Sequence, residues 1–243
     1  MANAQTVAAI QMVSTSDIDD NLNQASLLLA RAAEQGARVA VLPENFAVLD
    51  TANMPLHGSR EVSAEGPIRS FLAEQARKHG LWIVGGSLPI GARPDGSTID
   101  DRVRASCVVV DDQGLVTVET PVGRLGLSIC YDLRFPEMFR QLREKEIDWV
   151  TLPSAFTWHT GDAHWHPLVR ARAIENQVWI VAPGQGGQNS ERRRTYGHSM
   201  IVDPWGKVLK ELAEGAGVVV ADLDPDYLKK VRTRMPVWEH RRL

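Results

Sequence analysis

Short apolar runs alternate along this chain with amphipathic stretches, and that alternation restricts its possible folds more than any other feature. Residues 6–12 (TVAAIQM) read as a buried strand, and residues 14–20 start a helix. Ala and Leu at helical spacing continue that helix over 21–35, with Gly36 as its C-cap. The same rhythm returns as a strand at 39–42, a helix at 67–79 capped by Gly80, and a strand at 81–87. The two glycines in that strand imply close backbone approach. Strands are expected at 105–111 and 115–120 around the turn 112–114, and at 124–130 after the turn 121–123. A helix over 136–145, a strand at 149–152, a helix over 164–176 and strands at 178–182 and 199–203 follow. Asp203-Pro204-Trp205-Gly206 is a hairpin turn between 200–202 and 207–212, and 217–222 is the last strand.

Hairpins set among βα units predict a layered α/β sandwich with mixed sheets rather than a purely doubly wound sheet. No G-x-G-x-x-G follows the first strand, so a dinucleotide fold has no support. With no repeat and no low-complexity linker, residues 1–243 read as one domain. The basic tail 227–243 is expected to extend over the surface or a partner. A net charge of −3 offers no footprint for nucleic acid or an anionic membrane. No apolar run nears the roughly 20 residues that span a bilayer, and the N-terminus has no basic leader region, so a cytoplasmic protein is expected. Two cysteines make no disulfide framework.

Glu44 directly follows a buried strand, at the sheet end where α/β proteins place ligands. It is either a site carboxylate or a solvated turn acid. Cys130 sits where a strand turns sharply toward a helix. There a thiol can be presented beside backbone N–H groups able to hold an oxyanion, and a neighbouring base would make it a nucleophile. Its other reading is a core cysteine. Cys107, inside a β-branched run, reads as core. Glu137, one turn into the next helix, either faces the site or favours that helix's N-terminus. His159, His164 and His166 match no zinc spacing, so no metal is expected there, and His198 reads as a structural hydrogen-bonding residue.

Several of these segments resemble the nitrilase superfamily of carbon–nitrogen hydrolases. They are L-P-E-N at 42–45, G-R-L-G-L-S-I-C-Y-D-L-R-F-P-E at 123–137, R-A-R-A-I-E-N at 170–176, G-H-S-M-I-V-D-P-W-G at 197–206 and P-V-W-E-H-R-R at 236–242. The C-Y-D-L-R-F-P-E and P-V-x-x-H-R-R elements are most similar to the amidase branch that includes deaminated glutathione amidases and ω-amidases. The resemblance implies an α-β-β-α sandwich, assembly into homodimers or larger homo-oligomers, a small amide as substrate and no cofactor. It also implies a glutamate–lysine–cysteine set. Glu44 would be the base, Cys130 the nucleophile, Glu137 a supporting carboxylate and the Tyr131 N–H an oxyanion donor. Arg134, or an arginine among residues 192–194, would hold a substrate carboxylate, with Phe156 beside it.

The lysine does not follow. The family carries it in a segment between the strand at 105–111 and the cysteine strand, and this chain has no lysine there. Its six lysines, at 78, 145, 207, 210, 229 and 230, lie on helices, after a hairpin turn or in the tail. Losing one oxyanion-stabilising group costs on the order of 10²–10³ in rate. Without the cation, Glu44 and Glu137 would lack a positive partner, raising at least one of their pKa values. Two expectations follow. In the first, favoured by the intactness of the other motifs, the protein is an amidase completed by a lysine-bearing segment. In the second it is a catalytically impaired relative that serves as a binding or regulatory module.

Overall fold

The computed structural model describes residues 5–50, 52–63, 65–93, 95–99, 103–110 and 119–242. In chain order, β1 (Gln5–Gln11), α1 (Ile18–Glu34) and β2 (Val39–Val41) open the fold. α2 (Met54–Gly58), α3 (Pro67–His79), β3 (Trp82–Val84), β4 (Leu88–Ile90), β5 (Arg104–Ser106), β6 (Val109–Val110), β7 (Glu119–Thr120) and β8 (Gly123–Leu127) follow. A one-turn 3-10 helix (Cys130–Arg134) leads into α4 (Pro136–Glu144), β9 (Trp149–Thr151), α5 (Trp158–Asn176) and β10 (Trp179–Ala182). The chain closes with β11 (Gln188–Ser190), β12 (Arg193–Arg194), β13 (Ser199–Val202), β14 (Val208–Leu212), β15 (Gly217–Leu223) and α6 (Pro225–Arg234). The expected turn at 112–114 and most of the expected strand at 115–120 lie outside the described residues, as does much of the segment in which the lysine was sought.

Two mixed sheets form the centre, ordered β15-β1-β2-β3-β6 and β14-β13-β10-β9-β8-β7. Within each, parallel pairs sit at the middle (β1 with β2, β2 with β3; β8 with β9, β9 with β10) and antiparallel pairs at the edges. The strands are apolar on both faces because both faces are covered. Val7, Ala9, Val39, Val41 and Val84 of one sheet meet Leu125, Trp149, Trp179, Val181 and Ile201 of the other in the inter-sheet core. On the outer face of the first sheet, Leu28, Leu29, Ile68 and Leu72 of α1 and α3 cover Ala8, Ile10, Ala40 and Ile83. On the outer face of the second, Phe139, Trp165 and Val169 of α4 and α5 cover Val150, Ile180 and Met200. The result is the expected α-β-β-α sandwich.

Several boundaries differ from expectation. The cysteine strand ends at Leu127, and Cys130 opens the 3-10 turn at a positive φ of 42°. α5 starts at Trp158 rather than 164, so all three closely spaced histidines lie on it. Much of the expected tail extension is helical: α6 buries Leu228 and Val231. Among the described residues, no helix is long and apolar enough to cross a membrane.

Candidate active site

The carboxyl ends of β2, β3, β8 and β9 converge, and the loops leaving them carry the candidate residues. Glu44 lies three residues past β2. A bridge to Ser87 fixes it against the loop after β3, with the Asn45 N–H donating to the Ser87 hydroxyl at 3.2 Å. From the second sheet, the Gln185 side-chain amide donates to the Glu44 carbonyl at 3.1 Å and to the Ser14 hydroxyl at 2.8 Å. Glu44 is thus held from both halves of the sandwich.

Cys130 is presented by the sharp turn expected at this corner. Its N–H donates to the Pro153 carbonyl at 2.9 Å, and the Asp132 carboxylate accepts the Ile129 N–H at 2.8 Å. These bonds hold the left-handed residue in place, a conformation that L side chains adopt only when the surroundings enforce it. The Cys130 thiol and the Glu44 carboxylate face each other closely enough to interact, with the Ala155 N–H near both. Burial, opposed by the Cys130 bond and the Arg193 charge, holds the Glu44 carboxyl above the ordinary range, with Asp132 adding to the rise. Burial and then the Glu44 charge push the Cys130 thiol up, while the Ala155 N–H and Arg193 pull it down. Both groups are thus biased toward their neutral forms, as expected where two like charges would otherwise face each other in a dry pocket.

Arg193, on β12, supplies the positive charge. Its guanidinium donates to the Ala155 carbonyl at 3.3 Å, while its buried Nε has no hydrogen-bond partner. The neighbouring Arg194 is committed elsewhere, to Glu214 and to the face of Trp158 at 3.7 Å. Arg134 and Phe156 lie close together. The guanidinium lies 5.2 Å from the Phe156 ring centre and 5.3 Å from that of Tyr131, and hydrogen-bonds His164 Nδ1 at 3.2 Å. Phe156 is buried against Trp165 at 5.1 Å. The Tyr131 side chain is exposed, and its N–H lies in the opening turn of the 3-10 helix, where helical N–H groups lack helical partners.

Glu137 is not brought to the pair. It is exposed in the first turn of α4, with no hydrogen bond or ion pair to Glu44 or Cys130 among the described residues. Asp132, whose carboxylate accepts the Ile129 N–H and adds a small rise to the Glu44 carboxyl, was passed over in sequence reading. Nothing in the local sequence marks Asp132, Ala155, Gln185 or Ser87, because each acts through a contact distant in sequence. Arg193 was noted only as one of three consecutive arginines. Cys107 packs against the inter-sheet core, where burial pushes its thiol up to about 12.

The carbon-nitrogen hydrolase family profile matches residues 6–117 and again 101–233. The deaminated glutathione amidase of Synechocystis is 36% identical over 269 aligned positions, covering 96% of this chain and 97% of that protein. The human deaminated glutathione amidase is 35% identical over 272 positions, covering 97% and 82%. The crystal structure of Saccharomyces cerevisiae Nit3, a member of branch 10 of the nitrilase superfamily, superimposes with a TM-score of 0.90 at 28% identity, covering 100% of this chain and 98% of that one. Both alignments run over more positions than this chain's 243 residues, so these relatives carry residues that it lacks. The two matches overlap over residues 101–117, which reach into the stretch where the lysine was sought.

Proposed function

Because the chain belongs to the carbon–nitrogen hydrolase family, we propose that it hydrolyses a small linear amide bearing a carboxylate, of the deaminated glutathione or α-keto ω-amide type. The observation that carries the reading is the juxtaposition of the Cys130 thiol and the Glu44 carboxylate at the converging strand ends, with the Ala155 N–H and the Arg193 charge beside them. Glu44 takes the thiol proton as Sγ attacks the amide carbon. The resulting oxyanion forms beside the Tyr131 N–H at the opening of the 3-10 turn. Glu44 then gives the proton to the leaving ammonia, and a thioester remains. A water that loses its proton to Glu44 attacks the thioester, the acid departs, and the proton returns to sulfur. No cofactor enters these steps.

Arg193 offsets the negative charge that Glu44 and the oxyanion bring together, the work the family assigns to lysine. Arg134, near the Phe156 and Tyr131 rings, takes the substrate carboxylate bidentately in this reading. The protein works in the cytoplasm as a homodimer or larger homo-oligomer.

The second reading, a binding or regulatory module, draws on one observation: residues 111–118 hold no lysine or arginine. Ammonia release from α-keto ω-amides and from deaminated glutathione separates the two. We expect turnover by the wild type and none by Cys130→Ser or Glu44→Gln. Wild-type turnover no faster than that of Cys130→Ser, with substrate still bound, would establish the module instead.

A further inference from the structure

We propose that His166, His198 and Glu211 form a binding site for one divalent transition-metal ion of the zinc type, apart from the Cys130 site. The three residues are far apart in sequence and come from three places: α5, the turn before β13, and β14. Their ligand atoms lie within 4.8 Å of one another. Glu211 Oε1 is 2.8 Å from His166 Nε2 and 2.5 Å from His198 Nδ1, so a single carboxylate oxygen faces both rings.

The surrounding structure sets this arrangement in advance. His198 adopts a left-handed backbone (φ 53°), its N–H donates to the Ala213 carbonyl, and its carbonyl accepts the buried Trp165 indole N–H at 2.8 Å. Trp165 directly precedes His166 on α5, so that one bond ties the helix to the His198 turn. The Tyr196 ring stacks on His198 at 4.2 Å and meets His166 edge-on at 6.1 Å, restricting both imidazoles. Glu211 stands opposite Met200 on the edge strand β14, where its side chain has room to withdraw.

Two imidazoles and one carboxylate, with a fourth position open to water, form a zinc ligand set, and imidazole selects such borderline ions over magnesium or calcium. Zinc–ligand bonds of about 2.0–2.2 Å require neighbouring ligands to sit somewhat further apart than the present contacts. A small retreat of the flexible Glu211 side chain provides that. Binding requires both imidazoles neutral and the carboxylate ionised, so affinity should fall as the pH drops through the histidine range. The ion would clamp α5 to the β13–β14 hairpin. Asp162 and Tyr196 are further titratable groups at this junction.

The test titrates ZnCl₂ into the Cys130→Ser protein, which removes the competing thiol, and follows heat and thermal melting. One ion per chain should bind and raise the melting temperature. His166→Gln, His198→Asn and Glu211→Gln should each weaken binding by about tenfold or more. His198→Asn keeps a residue tolerant of the left-handed backbone. Absence of saturable one-to-one binding, or wild-type affinity in all three variants, overturns the site. So does zinc-edge anomalous scattering that places the ion elsewhere. Because none of these readouts needs turnover, they stand independently of the proposed amidase activity.

Discussion

Cys107 and Cys130 carry the same thiol, and burial raises both. What separates them is company. Cys107 has burial alone, whereas Cys130 has a carboxylate to receive its proton and an N–H and a guanidinium that favour the thiolate. Iodoacetamide should therefore label Cys130 well before Cys107, as mass spectrometry of the two peptides would record; equal, slow labelling would count against an activated thiol. Because Glu44 and Cys130 both lie above their ordinary ranges, the labelling rate should climb on the alkaline side of neutrality rather than level off below it. The Arg193 charge opposes both rises. In Arg193→Gln the climb should move to higher pH, with labelling at fixed near-neutral pH roughly tenfold slower, the factor that about 1.4 kcal/mol of lost charge stabilisation gives. Arg193→Lys should recover most of the rate. An unchanged pH profile in the glutamine variant would remove Arg193 from the site, whatever its effect on stability.

At the scale of elements, placing Glu44 depends on two loops that nearly touch. Gly86, just past β3, has a φ of 54°, and a Cβ added there would lie 2.0 Å from the Pro43 carbonyl oxygen. Gly86→Ala thus forces a strained backbone against a strand end that cannot yield without moving Glu44. A loss of about 1–3 kcal/mol is expected for such overpacking. Thermal melting should show a drop of several degrees, and Cys130 labelling should slow in the folded protein. A variant with wild-type melting and labelling would mean that the two loops are independent. The glycine pair in 81–87 announced this close approach, and the buried strands and amphipathic helices were equally legible, since their signals are local. The corner at Cys130 was legible as well, though its residues belong to a 3-10 turn rather than to the strand. Glu137 and Asp132 show where local reading stopped. Both follow the cysteine closely, yet Asp132 folds back onto the Ile129 N–H while Glu137 stands exposed in the first turn of α4. Arg193, Gln185 and the His166–His198–Glu211 cluster reach their partners across the fold, and no spacing rule encodes such contacts.

For the molecule as a whole, the faces of the sandwich are unequally finished. Around α5, α6 and the segment after α6, Ile174, Trp205, Met235 and Val237 remain substantially exposed. The segment is not loose. The Gln177 side chain donates to the Met235 carbonyl at 2.7 Å, and Arg140, Arg143 and Arg241 approach the Trp238 ring within 5.8, 5.2 and 5.1 Å. An ordered apolar strip rimmed by arginines and by Glu144 and Glu175 is suited to a two-fold contact, in which each charge meets its opposite across the axis. A stable pairing must bury upward of about 1,000 Å², more than these four side chains supply, so the helix faces between them must take part. Light scattering behind a sizing column should give at least twice the 26.9 kDa of one chain. Ile174→Glu should shift it toward the monomer, because an unpaired charge would be buried twice in a symmetric interface. Ile174 lies on the solvent side of α5, away from Cys130, so far-ultraviolet circular dichroism should be unchanged and the monomeric variant should still label at Cys130. A wild-type protein eluting at 26.9 kDa at high concentration would leave the strip uncovered and exclude the assembly.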